Sequence, residues 1–140
     1  MPDPTSGAQE FVLDSRYDVL ERVDSETLRF SRLAGFDEGT AGMIAMAAIE
    51  AVTNAVVHGN KLADDKKVLL RYEWEPGELR IVVHDQGMGF DLMCVLDPTD
   101  PERCMETSGR GIFIMREIMD DVEFEMSEKD GTTVRLVKRA

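Results

Sequence analysis

The sequence predicts an α+β fold, a two-layer sandwich with helices packed on one face of a mostly antiparallel, mixed sheet. Three observations carry that expectation. A long stretch rich in alanine and aliphatic residues, from about residue 37 to 58, runs without a breaker until Gly59. Two pairs of short segments, each joined by a tight turn, alternate apolar and polar side chains, the mark of strands with one buried face. Sheets of that kind need a second layer over the apolar side, and the helices supply it.

Residues 1–8 are proline, glycine and polar, and are expected to be a flexible N-terminus, leaving 9–140 as a single domain. Phe11-Val12-Leu13 is compatible with a short strand. From about Ser15 to Ala34, the apolar residues Tyr17, Leu20, Val23, Phe30 and Leu33 recur near helical spacing, and Gly35 is a natural stop. Asp37 and Glu38 then place negative charge where the next helix begins and its dipole favours it. On that helix Glu50, Asn54 and His58 are four residues apart and share a face. Val68, Leu70, Tyr72 and Trp74 alternate, Glu75-Pro76-Gly77-Glu78 turns, and Leu79, Ile81 and Val83 return as the second strand of a hairpin. A weakly periodic segment follows from Asp91 to Ser108, and Gly109-Arg110-Gly111 opens a helix carrying Ile112, Met115, Ile118 and Met119. Val122, Phe124 and Met126, a turn at Lys129-Asp130-Gly131, and Val134 and Leu136 complete a second hairpin. Met43, Met46, Met88, Met115 and Met119 are expected to fill the core.

At 140 residues, with 31% charged and 43% hydrophobic composition, the chain has the makings of an ordinary globular domain. Its net charge of -12 opposes approach to a phosphate backbone, so direct nucleic-acid binding is not expected. Cys94 and Cys104 are isolated from any other metal-ligand pattern and are expected to be free thiols. No basic segment leads into an apolar run near Met1, so neither a leader nor membrane insertion is expected, and the expected location is the cytoplasm.

Three separated elements can carry chemistry. Asp85-x-Gly87-x-Gly89 follows a strand end, where glycines let a flat or charged ligand approach the backbone and Asp85 can accept a hydrogen bond from an amine-bearing ring. Gly109-x-Gly111 precedes a helix, an arrangement that presents free backbone N–H groups to phosphate, with Arg110 adding a charged contact. Glu50 and Asn54 offer a carboxylate to deprotonate a nucleophile and an oxygen ligand for Mg²⁺. Taken singly, each is more often a turn or a solvated helix residue. His58, near a helix carboxyl end, reads as a cap rather than a catalyst.

In combination and in this order, Glu50-x-x-x-Asn54-x-x-x-His58, Asp85-x-Gly87-x-Gly89-Phe90 and Gly109-Arg110-Gly111-Ile112 resemble the ATPase superfamily that includes gyrase B, MutL, the large heat-shock chaperones and the sensor histidine kinases. The small size, the Asn-Ala-Val-Val-His run and the Gly-Arg-Gly-Ile-Phe-Ile-Met segment look most like the anti-sigma-factor serine kinases of bacterial partner switching. That resemblance implies a Bergerat-type ATP-binding fold with residues 92–108 as ATP lid. It also implies ATP and Mg²⁺ as cofactors. Asn54 would be the Mg²⁺ ligand and Glu50 the general base for a substrate serine. Asp85 would bind the adenine amino group, Gly87 and Gly89 would shape the pocket floor, and Gly109, Arg110 and Gly111 would hold phosphates. The partners implied are a sigma factor and an anti-anti-sigma antagonist, and a homodimer is implied as well.

One competing expectation is a nucleotide-gated binding module in which ATP controls a protein interface without productive phosphoryl transfer. The catalytic piece of a two-component histidine kinase ranks lower, because the residues before 37 are too few for a helical hairpin carrying a phosphoacceptor histidine. A self-contained hydrolase of the gyrase or MutL kind ranks lower too, since it would normally need transducing domains.

Overall fold

The computed structural model describes residues 6–86, 107–127 and 131–140, with the backbone alone for 107–110, 126 and 127. Five strands, β1 (Gly7–Asp14), β2 (Lys67–Glu75), β3 (Glu78–Asp85), β4 (Asp121–Ser127) and β5 (Gly131–Arg139), form one sheet in the order β1-β2-β3-β5-β4. Every pairing among them is antiparallel, so the parallel pair that a mixed sheet would contain does not occur among the described strands. The described α-helices, α1 (Val19–Leu33), α2 (Glu38–Thr53) and α3 (Thr107–Ile118), pack on one face of it.

Strand register follows from which side chains must leave water. Phe11 opposes Leu70, Tyr72 opposes Ile81, and Val83 opposes Val134, so the apolar alternation of each strand falls on one shared face. A slip of one residue in any pairing would turn that face to solvent. The β4 residues Val122 and Phe124 pack against the edge of the same core. β5 is inserted between β3 and β4, which brings the start of β5 beside the exit of β3.

β1 is longer than its three apolar residues suggested. It starts at Gly7, inside the segment expected to be flexible, because β2 offers a matching backbone edge as far as Trp74. α1 seats on this half of the sheet through an aromatic cluster, with the Phe30 ring 4.5 Å from Tyr72 and 4.8 Å from Trp74. The buried Tyr72 hydroxyl shares a 2.6 Å hydrogen bond with Thr27 of α1, and burial raises the Tyr72 pKa above its ordinary value. Gly35, at φ +96°, takes the left-handed conformation that ends α1.

α2 is the central element. Asp37 caps it by accepting the Thr40 N–H at 2.7 Å, and that bond, with the Thr40 side chain, holds the Asp37 carboxyl below its usual range. Ala41, Ala45, Ala47, Ala48 and Ala51 are all buried, letting the helix approach its neighbours closely. Glu38–Gly59 is long and apolar enough to cross a membrane, with hydropathy 1.5, but it is packed as the core helix of this domain. Met43 and Met46, expected in the core, are instead 50% and 54% exposed, since they fall on the outward stripe of α2. Met115 and Met119 are buried as expected.

The predicted helix through residue 58 is continuous but not uniform. At Asn54 it widens into a π-helical turn, Asn54–Gly59, ended by a bond from Asn60 N–H to the Ala55 carbonyl at 2.8 Å. Each residue of a π turn advances less around the axis, so the stripe of Glu50 and Asn54 does not continue straight to His58. Such turns recur at functional sites.

Candidate functional site

α2 and its π turn carry one end of the site each. Glu50 lies on the α2 stretch facing α3, and a Cβ added to Gly111 would come 2.6 Å from Glu50 Oε2 and 3.6 Å from Asn54 Nδ2. The carboxylate, the amide and the Gly111 backbone therefore crowd together, and only glycine leaves Glu50 room. One helical turn separates the two side chains, close enough for both to meet one ligand.

At the other end, Gly59 closes the π turn against Asp85, at the exit of β3. A Cβ on Gly59 would overlap the Asp85 carboxylate, and one on Gly131, which has φ +88°, would overlap the Asp85 carbonyl. Asp85 is 2% exposed and accepts the Thr132 N–H at 3.2 Å. Helical rise of about 1.5 Å per residue sets the two ends roughly 13 Å apart along α2 and its continuation.

Two buried polar atoms in this region have no hydrogen-bond partner among the described residues: Asn54 Nδ2 and Thr132 Oγ1. Leaving such a group unpaired costs about 1–3 kcal/mol, so each is a place where one further hydrogen-bonding partner is favoured. The groups at the two ends, the Asp85 carboxylate beside the Thr132 N–H and the Glu50 carboxylate one turn from the Asn54 amide, are of the kinds that could hold an adenine amino group and a hard cation. Thr132 was not singled out from sequence; a threonine after a turn glycine is too common to signal a site, and its meaning comes from β5 lying beside β3.

The glycines of the second motif sit differently from their sequence reading. α3 begins at Thr107, so Gly109 and Gly111 lie within its first two turns rather than before it. Helical pairing begins four residues after the cap, so within α3 the free N–H groups are those of residues 107–109, and the Gly111 N–H is not among them. Gly111 instead provides clearance for Glu50. Thr107 and Ser108, expected to end the lid, are already helical. Gly87, Gly89, the Arg110 side chain and the remainder of the expected lid lie outside the described residues.

Residues 13–138 match the family model for the histidine kinase-like ATPase domain. The chain belongs to that family. An anti-sigma F factor of Clostridium botulinum is 34% identical over 132 residues, covering 93% of this chain and 91% of that protein. An anti-sigma F factor of Bacillus velezensis is 41% identical over 93 residues, which is 64% of this chain and 62% of the Bacillus protein. Within the family the chain is thus of the anti-sigma-factor kind. In solved structures the same fold occurs within a Mycobacterium tuberculosis structure that comprises RsbU and RsbW domains, with TM-score 0.62, 18% identity, and coverage of 95% of this chain and 32% of that one. It occurs also in the catalytic domain of the histidine kinase ThkA, with TM-score 0.58, 14% identity, and coverage of 94% and 97%.

Proposed function

We propose that this chain is an ATP- and Mg²⁺-dependent serine kinase that phosphorylates a small anti-anti-sigma protein and sequesters a sigma factor, acting as a cytoplasmic partner switch. The observation that carries the reading is the placement of the Glu50 carboxylate against Gly111, with Asn54 one turn along a helix whose far end packs on Asp85. The partners come from the likeness to anti-sigma F factors, and the acidic chain, at net charge -12, favours basic protein surfaces over nucleic acid.

On this reading Asp85 accepts a hydrogen bond from the adenine amino group, and the Thr132 hydroxyl completes recognition of the ring beside it. Asn54 Oδ1 would hold Mg²⁺, which when bound would neutralise charge on the phosphate oxygens. Glu50 takes the proton of the substrate serine hydroxyl as that oxygen bonds to the terminal phosphorus and ADP leaves. Phosphoryl transfer asks the protein chiefly for positioning and charge stabilisation, and these groups are held by the core helix with its π turn and by strands β3 and β5 rather than by loops.

The test is incubation with labelled ATP, Mg²⁺ and a candidate anti-anti-sigma protein. Label is expected on a serine of that protein, lost with Glu50→Gln while ATP binding persists. If no label transfers, yet a partner binds in an ATP-dependent way that Glu50→Gln leaves untouched, the chain is a nucleotide-gated binding module instead.

A further inference from the structure

The buried side chain of Asn60 plays no part in the chemistry above, yet its amide is engaged by three other segments. It is 1% exposed, just past the π turn, and its main-chain N–H ends that turn on the Ala55 carbonyl at 2.8 Å. Its Nδ2 donates to Ser15 Oγ at 2.8 Å, beyond the end of β1, and to the Lys67 carbonyl at 3.0 Å, at the start of β2. Its Oδ1 accepts the main-chain N–H of Gln86 at 2.8 Å. Gln86 closes the ring by accepting the Lys67 N–H on its own side chain at 2.6 Å. Both Nδ2 donors and the acceptor are therefore used, which fixes the orientation of the amide.

The bond that matters for function is the one to Gln86, because Gln86 directly follows Asp85. The Asp85 carboxylate is bounded by Gly59, whose Cβ position it overlaps, and by the Thr132 N–H that it accepts. There is no slack on those sides, so its direction depends on where the chain leaves β3. We propose that Asn60 is a positioning residue for base recognition: it locks the Asp85-Gln86 exit to the end of the π turn, so that the carboxylate meets the amino edge of a purine. This rests on the nucleotide reading of Asp85 given above. It distinguishes Asn60 from a residue that merely stabilises the loop, since it predicts loss of contact with the base and not with the phosphates.

The experiment is calorimetry of the full chain with two probes, ATP and inorganic tripolyphosphate, each with Mg²⁺. Asn60→Ala is expected to weaken ATP about tenfold, the scale of one lost buried hydrogen bond, while tripolyphosphate stays within about twofold. Ser15→Ala, which trims the same network on the side away from Gln86, is expected to lower Tm and leave the ratio alone. Should Asn60→Ala fail to fold, the smaller change Asn60→Ser is read by the same ratio. The proposal is overturned if the Ala or Ser variant leaves the ratio unchanged, if both probes weaken together, or if Ser15→Ala shifts the ratio as much. A wild-type chain that binds no ATP would instead overturn the nucleotide reading, and this proposal with it.

Discussion

Gly111→Ala isolates the position of the Glu50 carboxylate from its chemistry. The added Cβ would come 2.6 Å from Glu50 Oε2, against the 3.4 Å at which ordinary contact begins, so the carboxylate must retreat by about 0.8 Å. The other neighbours, Asn54 Nδ2 and Glu50 Cβ, are 3.6 Å away and need not move. Since the clash is with the end of a flexible side chain, and alanine favours helix over glycine by up to about 1 kcal/mol, Tm should hold or rise slightly. Catalysis should behave oppositely. A displacement near 1 Å of a group that must meet the substrate hydroxyl costs on the order of 10²-fold in rate. The assay pairs thermal unfolding with the initial rate of phosphoryl transfer to a serine of the anti-anti-sigma protein, and measures ATP affinity in parallel. A rate loss of about 10²-fold with near-normal ATP affinity and Tm is expected. Wild-type transfer by a folded Gly111→Ala chain would refute the placement of Glu50 as base.

Other perturbations report on other parts of the site. Gly59→Ala forces a Cβ into the Asp85 carboxylate; both residues are buried, so overpacking should cost about 1–3 kcal/mol by denaturant unfolding and ATP affinity should fall with it. Asn54→Ala removes an amide whose Nδ2 has no partner among the described residues, so nucleotide-free stability should change little, whereas the gain in ATP affinity on adding Mg²⁺, read by calorimetry with and without chelator, should disappear. Tyr72 has its pKa raised above the ordinary 10.0, first by burial, against the lowering effect of the Thr27 hydrogen bond. The folded state therefore binds that proton more tightly: its contribution is whole below pH 10 and is lost as pH climbs beyond it. Tyr72→Phe should flatten the alkaline limb of the stability profile, measured by denaturant midpoints from pH 8 to 11; an unchanged limb would mean that other groups govern it.

Much of this arrangement was legible in the chain. The alternation of Val68, Leu70, Tyr72 and of Leu79, Ile81, Val83 gives both strands and their shared face, because period two and one-sided burial are the same fact. The start of α2 was readable from Asp37, whose side chain does cap it. The nearness of Glu50 to Asn54 follows from helical spacing alone. What was hidden depends on distant partners. Nothing local in Gly7-Ala8-Gln9-Glu10 asks for a strand; β2 imposes it by offering an unpaired edge. The insertion of β5 between β3 and β4 leaves no trace in the alternation of either, so Thr132 could not be placed beside Asp85. The π turn was invisible because its residues, Asn54-Ala55-Val56-Val57-His58-Gly59, suit an α-helix equally well. The clamp at Asn60 joins residues 15, 60, 67 and 86, and no short motif spans such separations.

The widened turn at the end of α2 also sets a constraint on how this molecule can change through descent. A helix that holds one extra residue in its last turn is a ruler with an added notch: deleting a residue between 54 and 59 would restore even pitch but swing the Gly59 end off the Asp85 carboxylate. Substitutions along that segment are therefore easier to accommodate than any change in its length, and an insertion or deletion there would part the Glu50 end of the proposed site from the Asp85 end while leaving each intact.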